Sequence, residues 1–163
     1  MSHIFLGDSG RFYKRNNRDI LIGVVSSSNN NGYHMPLIDY DHVNPINDIC
    51  ALVKKINEFK LPNFYVFKTS KGKYMTVCFK NIARNKFFNI LLYLNCCVNF
   101  RYYTICIAKQ ATIRFTKKWY KKTSHLQLIY IIHSKYNKYE NKKLKNEFFK
   151  VIGYESKTIH TRV

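Results

Sequence analysis

The sequence has 163 residues, 46% of them hydrophobic and 16% aromatic, with 28 Lys and Arg against 9 Asp and Glu, a formal net charge of +19. That length suits one domain, the apolar content excludes global disorder, and the charge excludes a neutral, self-sufficient surface. So large a positive field is answered by a polyanion or an anionic surface, and nucleic acid is the commonest such partner.

The first eighteen residues are polar and basic and are expected to form an irregular arm (1–18). Asp19 to Ser26 reads as a strand, and Ser26 to Gly32 as a loop by composition. His34 to Asp41 reads as a second strand whose end alternates, with Ile38 and Tyr40 on one face and Asp39 and Asp41 on the other. Asn44-Pro45 is a helix-start signal, and Ile46, Ile49, Val53 and Ile56 follow at helical spacing up to Leu61-Pro62. Phe64 to Lys68 and Tyr74 to Lys80 read as strands joined by the turn Thr69–Lys73. Ile82, Phe87, Ile90, Leu91 and Leu94 mark a second amphipathic helix over Asn81–Asn95. Tyr102–Ala108 and Ala111–Lys117 are expected as a strand pair, His125–His133 as a further strand, and Tyr139–Val151 as a charged helix.

These elements predict an α/β (α+β) fold with a βαββαβ core of about 19–133. That core is a mainly antiparallel sheet with two helices on one face, of the kind found in RNA-recognition domains and polymerase palms. An extra N-terminal strand, a C-terminal strand and a helix with its tail (139–163) complete one domain over 1–163.

Several features bound the setting. The odd count of cysteines, Cys50, Cys78, Cys96, Cys97 and Cys106, has no C-x-x-C spacing, so buried free thiols are expected. The opening Met-Ser-His-Ile-Phe-Leu-Gly-Asp lacks the regions of a signal peptide. The oily run Phe87–Phe100 is broken by three asparagines and too short for a bilayer. An intracellular, soluble protein with no membrane partner, in cytoplasm or nucleus, is expected.

Three constellations carry possible chemistry. Asp39 and Asp41 are two apart on a strand, so their carboxylates share a face, which suits either a divalent metal pair or a solvated strand end. No acid occurs between Glu58 and Glu140, so these two are scarce groups. Thr69-Ser70-Lys71-Gly72-Lys73 is either a phosphate-holding turn, with Ser70, Lys71 and Lys73 as ligands, or a charged hairpin tip. Arg114 and Lys117 on the third are either phosphate ligands or part of a solvated edge strand. The run Lys118-Trp119-Tyr120-Lys121-Lys122 after them suits stacking on bases with backbone contact. His34 and His42 flank the aspartates and read as surface or satisfied histidines rather than as ligands.

Taken in order, Ile38-Asp39-Tyr40-Asp41, Ser70-Lys71-Gly72-Lys73-Tyr74 and Ala111–Lys117 resemble the motifs of archaeo-eukaryotic-type primases, the primase-polymerase superfamily, in its small plasmid, viral and mobile-element forms. The resemblance covers about 34–120. It implies metal-dependent nucleotide polymerisation on a single-stranded template in DNA replication or repair. Asp39 and Asp41 would then hold Mg²⁺ or Mn²⁺, Ser70, Lys71, Lys73, Arg114 and Lys117 would hold nucleoside triphosphate, and a replicative helicase would be a possible partner. Two family groups are missing: Met75 stands where the family has a histidine, and the acid-free stretch lacks the third metal-binding carboxylate. The resemblance therefore implies either an active primase or a degenerate one. The alternative is a non-catalytic basic module binding DNA or RNA on an RNA-recognition-like fold.

Overall fold

The computed structural model describes residues 2–6, 10–17, 19–25, 32–40, 46–70, 73–94, 112–114 and 126–151. The fold is α+β. Among the described residues there are three α-helices, two four-stranded antiparallel sheets and a two-stranded ribbon.

The strand predicted over Asp19–Ser26 is present as β3 (Asp19–Val25), but it is not alone. Two strands precede it where an irregular arm was expected, β1 (Ser2–Leu6) and β2 (Gly10–Asn17). Pairing runs β1–β2–β3, each antiparallel, with Asn17 opposite Asp19. The polar composition of 1–18 hides these strands. The ladder is supplied by the apolar run Ile20–Val25, and sheet context outweighs the intrinsic preference of Lys, Arg and Asn.

The main sheet holds β5 (Leu37–Tyr40), β6 (Phe64–Ser70), β7 (Lys73–Cys78) and β10 (Gln127–Ile132), in the order β10-β6-β7-β5. Helix α1 (Ile46–Glu58) lies between β5 and β6 in the chain. A short ribbon, β4 (Tyr33–His34) with β8 (Ile82–Ala83), leads into α2 (Arg84–Tyr93), which touches α1. The strand expected over Ala111–Lys117 is present as β9 (Thr112–Arg114), but it pairs with β3 in the other sheet. Its place beside the core hairpin is taken by β10. The expected strand over Tyr102–Ala108 lies outside the described residues.

Both faces of the main sheet are covered. Cross-strand register puts Leu37, Tyr65, Phe67, Met75 and Val77 on one face, and Ile38, Phe64, Val66, Thr76 and Cys78 on the other. All ten are buried, so these strands read as continuous apolar runs rather than as alternation. On the first face, Phe148 and Phe149 of α3 (Lys142–Val151) meet Tyr65, Phe67 and Phe79 with ring centroids 5.1–6.0 Å apart. Tilted and edge-on pairs of this kind add to the area that they bury. Val53, expected in the apolar stripe of α1, is exposed, while Leu52 and Ile56 are buried.

Two joints fix the surface segments. Helix α1 ends with Lys60 at φ 51°, the Leu61 amide bonded to the Ile56 carbonyl at 2.9 Å and the Lys60 amide to the Asn57 carbonyl at 3.4 Å. That left-handed position usually belongs to glycine. The path from β10 to α3 is tied to the start of β6. The Ser134 amide donates to Asn63 Oδ1 (2.8 Å), the Ser134 hydroxyl to the Leu61 carbonyl (2.6 Å), and the Asn63 amide to Asn137 Oδ1 (3.3 Å). A 3₁₀ turn (Asn137–Tyr139) follows. The Asn141 amide then bonds the Phe79 carbonyl at 2.7 Å, and Asn141 Oδ1 accepts from Leu144 N at 3.0 Å to cap α3.

Phe148 has the most to lose in this seam. Phe148→Ala is expected to destabilise the fold by about 3–5 kcal/mol through lost transfer energy and an unfilled cavity. A drop in the denaturant midpoint at unchanged slope would show it. Lys150→Ala on the exposed side of the same helix is the control, with no comparable drop.

Candidate nucleic-acid interface

Asp39 sits half-buried on β5, opposite Met75, which is in turn opposite Phe67. The row Asp39–Met75–Phe67 therefore lies on the face that receives the rings of α3. Lys73, two residues before Met75, shares that face and is exposed. The register shifts between Lys68 and Ser70, after which Ser70 pairs with Lys73 at the hairpin end. Asp39 and Lys73 are thus diagonal neighbours near the turn. Asp41, Lys71, Lys117, Lys118, Trp119, Tyr120, Lys121, Lys122 and His42 lie outside the described residues.

Arg114 was expected near the aspartates. Its strand β9 instead pairs with β3, Arg114 opposite Gly23, in the sheet that does not contain Asp39. Met75 is 5% exposed and part of the core. Met75 is thus an apolar packing site. Among the described residues no group of three His, Cys, Asp or Glu side chains is arranged to hold a metal ion.

His34 is a core aromatic. It is buried on β4, with its ring stacked on Phe87 at 5.5 Å and tilted against Phe88 at 6.3 Å. Burial, and then the charge of Arg84, hold its pKa below the ordinary 6.5. Of the cysteines, Cys78 is buried and its thiol pushed up by desolvation, whereas Cys50 is exposed, against expectation; the other three lie outside the described residues.

The charged groups divide by sign. Asp48 and Glu140 are buried, Asp39 and Glu147 half-buried, and Glu58 is exposed but ion-paired with Lys55 at 2.7 Å. Glu140 faces inward, accepting the Tyr65 hydroxyl proton at 2.6 Å and pairing with Lys145. Burial and Glu140 raise the Tyr65 pKa and keep the phenol neutral. In contrast Lys54, Lys60, Lys68, Lys73, Arg84, Lys86, Lys135, Lys138, Lys142, Lys143 and Lys150 are all exposed. Among the residues whose exposure is described, four of five acids are thus at least half-buried, while most of the cations are exposed.

The sequence reading missed one basic-aromatic surface, Ser134-Lys135-Tyr136-Asn137-Lys138-Tyr139. Tyr139 is exposed, with Lys80 Nζ 4.7 Å and Lys138 Nζ 5.1 Å from its ring centre, and Lys135 Nζ is 5.2 Å from the Tyr136 ring. Its interleaving of Lys with Tyr was a legible signal of the same type as Trp119–Lys122.

No protein-family model, curated protein or solved structure matches this chain. No helix among the described residues is long and apolar enough to cross a membrane.

The state of His34 has a pH consequence. Its folded pKa is depressed, so the folded state resists a proton that the unfolded chain accepts. The stability held at and above pH 6.5 is therefore lost as pH falls through the folded pKa. A His34→Phe variant that keeps the ring stack is expected to lose less stability than the natural chain below that pH. Denaturant midpoints measured at a series of pH values would show it, and parallel curves would rule it out.

Proposed function

We propose that this protein binds nucleic acid through an uncompensated cationic surface. The observation that carries the reading is the division of charge: Asp39, Asp48, Glu140 and Glu147 are buried or half-buried and Glu58 is ion-paired, while eleven Lys and Arg side chains stand exposed. Such a surface gains free energy by releasing the counterions condensed on a phosphate backbone, and that gain shrinks as salt is added. DNA and RNA both supply the backbone, and the protein would act inside the cell, in cytoplasm or nucleus. Binding of a labelled single-stranded oligonucleotide, measured across salt concentrations, tests the reading. The logarithm of affinity is expected to fall linearly with the logarithm of salt, by about 0.7 per phosphate contacted. A flat line, or no binding at low salt, would sink it.

A second reading is a primase-like nucleotidyltransferase working in DNA replication or repair beside a replicative helicase. It is favoured by one observation, Asp39 and Lys73 on a shared sheet face near the hairpin turn. One described carboxylate does not make a metal site, so Asp41 is required beside it. With Mg²⁺ or Mn²⁺ bound there, the metal would neutralise triphosphate charge. Ser70, Lys71, Lys73 and Lys117 would hold the nucleotide, and Lys118, Trp119, Tyr120, Lys121 and Lys122 the template, with Arg114 of the other sheet outside this group. Nucleotide incorporation with Mn²⁺ by the natural chain, abolished by Asp39→Ala with Asp41→Ala, is expected on this reading. No incorporation by the natural chain, with binding intact, leaves the binding module alone.

A further inference from the structure

Resting on the nucleic-acid reading, we propose that the segment from Ser134 to Lys143, together with Lys80, is the surface on which a single nucleic-acid strand lies.

Three properties of the segment carry this. The first is preorganisation. A chain running between a strand and a helix is ordinarily free to rearrange. This one is held by Ser134 to Asn63 and Leu61, by Asn137 to Asn63, by the Tyr136 amide to the Ser134 hydroxyl at 3.1 Å, and by Asn141 to Phe79. Fixing the backbone before binding lowers the ordering cost of association.

The second is a concentration of like charge maintained against its own repulsion. Lys80 and Lys138 flank one tyrosine ring, so their ammonium groups lie within about 10 Å of each other. Lys80 also donates to the Lys60 carbonyl at 3.3 Å, which brings the α1 terminus to the same place. Lys142 and Lys143 are exposed in the first turn of α3, a turn with no acid. There the helix dipole already adds positive potential, and each lysine is destabilising on its own. The one acid of the segment, Glu140, is turned inward to Tyr65 and Lys145. An anion brought to this surface relieves all of these terms together.

The third is the kind of anion. Tyr139 is 44% exposed, and Tyr136 is half-buried beside Lys135. Rings among phosphate-binding lysines help only if unpaired bases can reach them. That favours a single strand over a duplex, whose bases are stacked inside.

The test is fluorescence anisotropy with the full chain and a labelled oligothymidylate over a salt series. It compares the natural chain, Lys135→Gln with Lys138→Gln, Tyr139→Leu, and a control of equal charge loss on two helices, Lys54→Gln with Lys86→Gln. All four positions changed to glutamine are exposed, and thermal melts check that each variant folds. The patch pair is expected to bind about tenfold more weakly at low salt and to reduce the salt slope by about 1.4, two phosphate contacts. Tyr139→Leu is expected to weaken binding about fivefold with the slope unchanged. The control pair, part of the general cationic surface but outside this segment, is expected to weaken binding by only about twofold or less and to change the slope by less than about 0.7, under one phosphate contact. Equal losses from patch and control overturn the assignment while the nucleic-acid reading stands, as does tighter binding to a duplex than to the single strand. A natural chain that ignores oligonucleotides overturns both, and one that instead binds vesicles of anionic phospholipid assigns the patch to a membrane surface.

Discussion

The contact of α3 with the main sheet organises the molecule around it. Phe148 and Phe149 sit among Tyr65, Phe67 and Phe79, so the helix has one depth and one rotation at which its rings fit. That rotation turns Lys142, Lys143 and Lys150 outward and leaves Leu144 inward. It also fixes where the chain must come from. The turn before α3 is tied down at the ends of β6 and β7: the Ser134 and Asn141 amides donate to Asn63 Oδ1 and the Phe79 carbonyl, the Ser134 hydroxyl to the Leu61 carbonyl, and Asn137 Oδ1 accepts from the Asn63 amide. Packing thus determines the path of this lysine-rich surface.

Electrostatics follows from that packing. A net charge of +19 repels itself in any compact state. The usual relief is to spread surface acids among the bases. Here Glu140, which stands in the middle of a lysine-rich segment, is spent inside on Tyr65 and Lys145. A buried carboxylate with a matched lysine and a phenol donor is tolerable because all its partners are present. Outside, nothing in the segment replaces it. The arrangement exchanges surface neutrality for internal order, and an external polyanion would restore the balance.

How much of this was legible depended on whether the deciding interaction was local. The helix starting after Asn44-Pro45 and the hairpin flanking Lys71-Gly72 are written in spacing and turn residues, and α1, β6 and β7 lie where those signals put them. The mixed α/β class followed from the same signals. What could not be read were the long-range choices. Thr112–Arg114 has strand composition, but whether it joins β3 or the core hairpin is decided by which edge has an open ladder and a matching apolar run. The strand at 10–17 pairs with 19–25 and the strand at 2–6 pairs in turn with 10–17, partners composition cannot see. The inward turn of Glu140 depends on Tyr65, far away in the chain. The candidate aspartate was legible as a scarce acid, but its half-burial opposite Met75 was not.

The position of Met75 bears on the choice between catalysis and binding. A phosphoryl-transfer site must expose its metal ligands to a large anionic substrate, and its phosphate-contacting group must be a donor. On the sheet face of Asp39, the next residue inward is a buried thioether and the one beyond it a buried phenylalanine. Packing excludes water and triphosphate from Met75 and Phe67, so any substrate would have to lie beyond them, over Asp39 and Lys73. Lys73, exposed at that corner, suits holding a strand as well as holding a nucleotide. The same corner needs a carboxylate pair before it can do the second, while the exposed lysines around the rest of the fold already meet the requirement of the first. The physical burden therefore falls on Asp41: without its carboxylate turned toward Asp39, the face is a charged rim on a closed core.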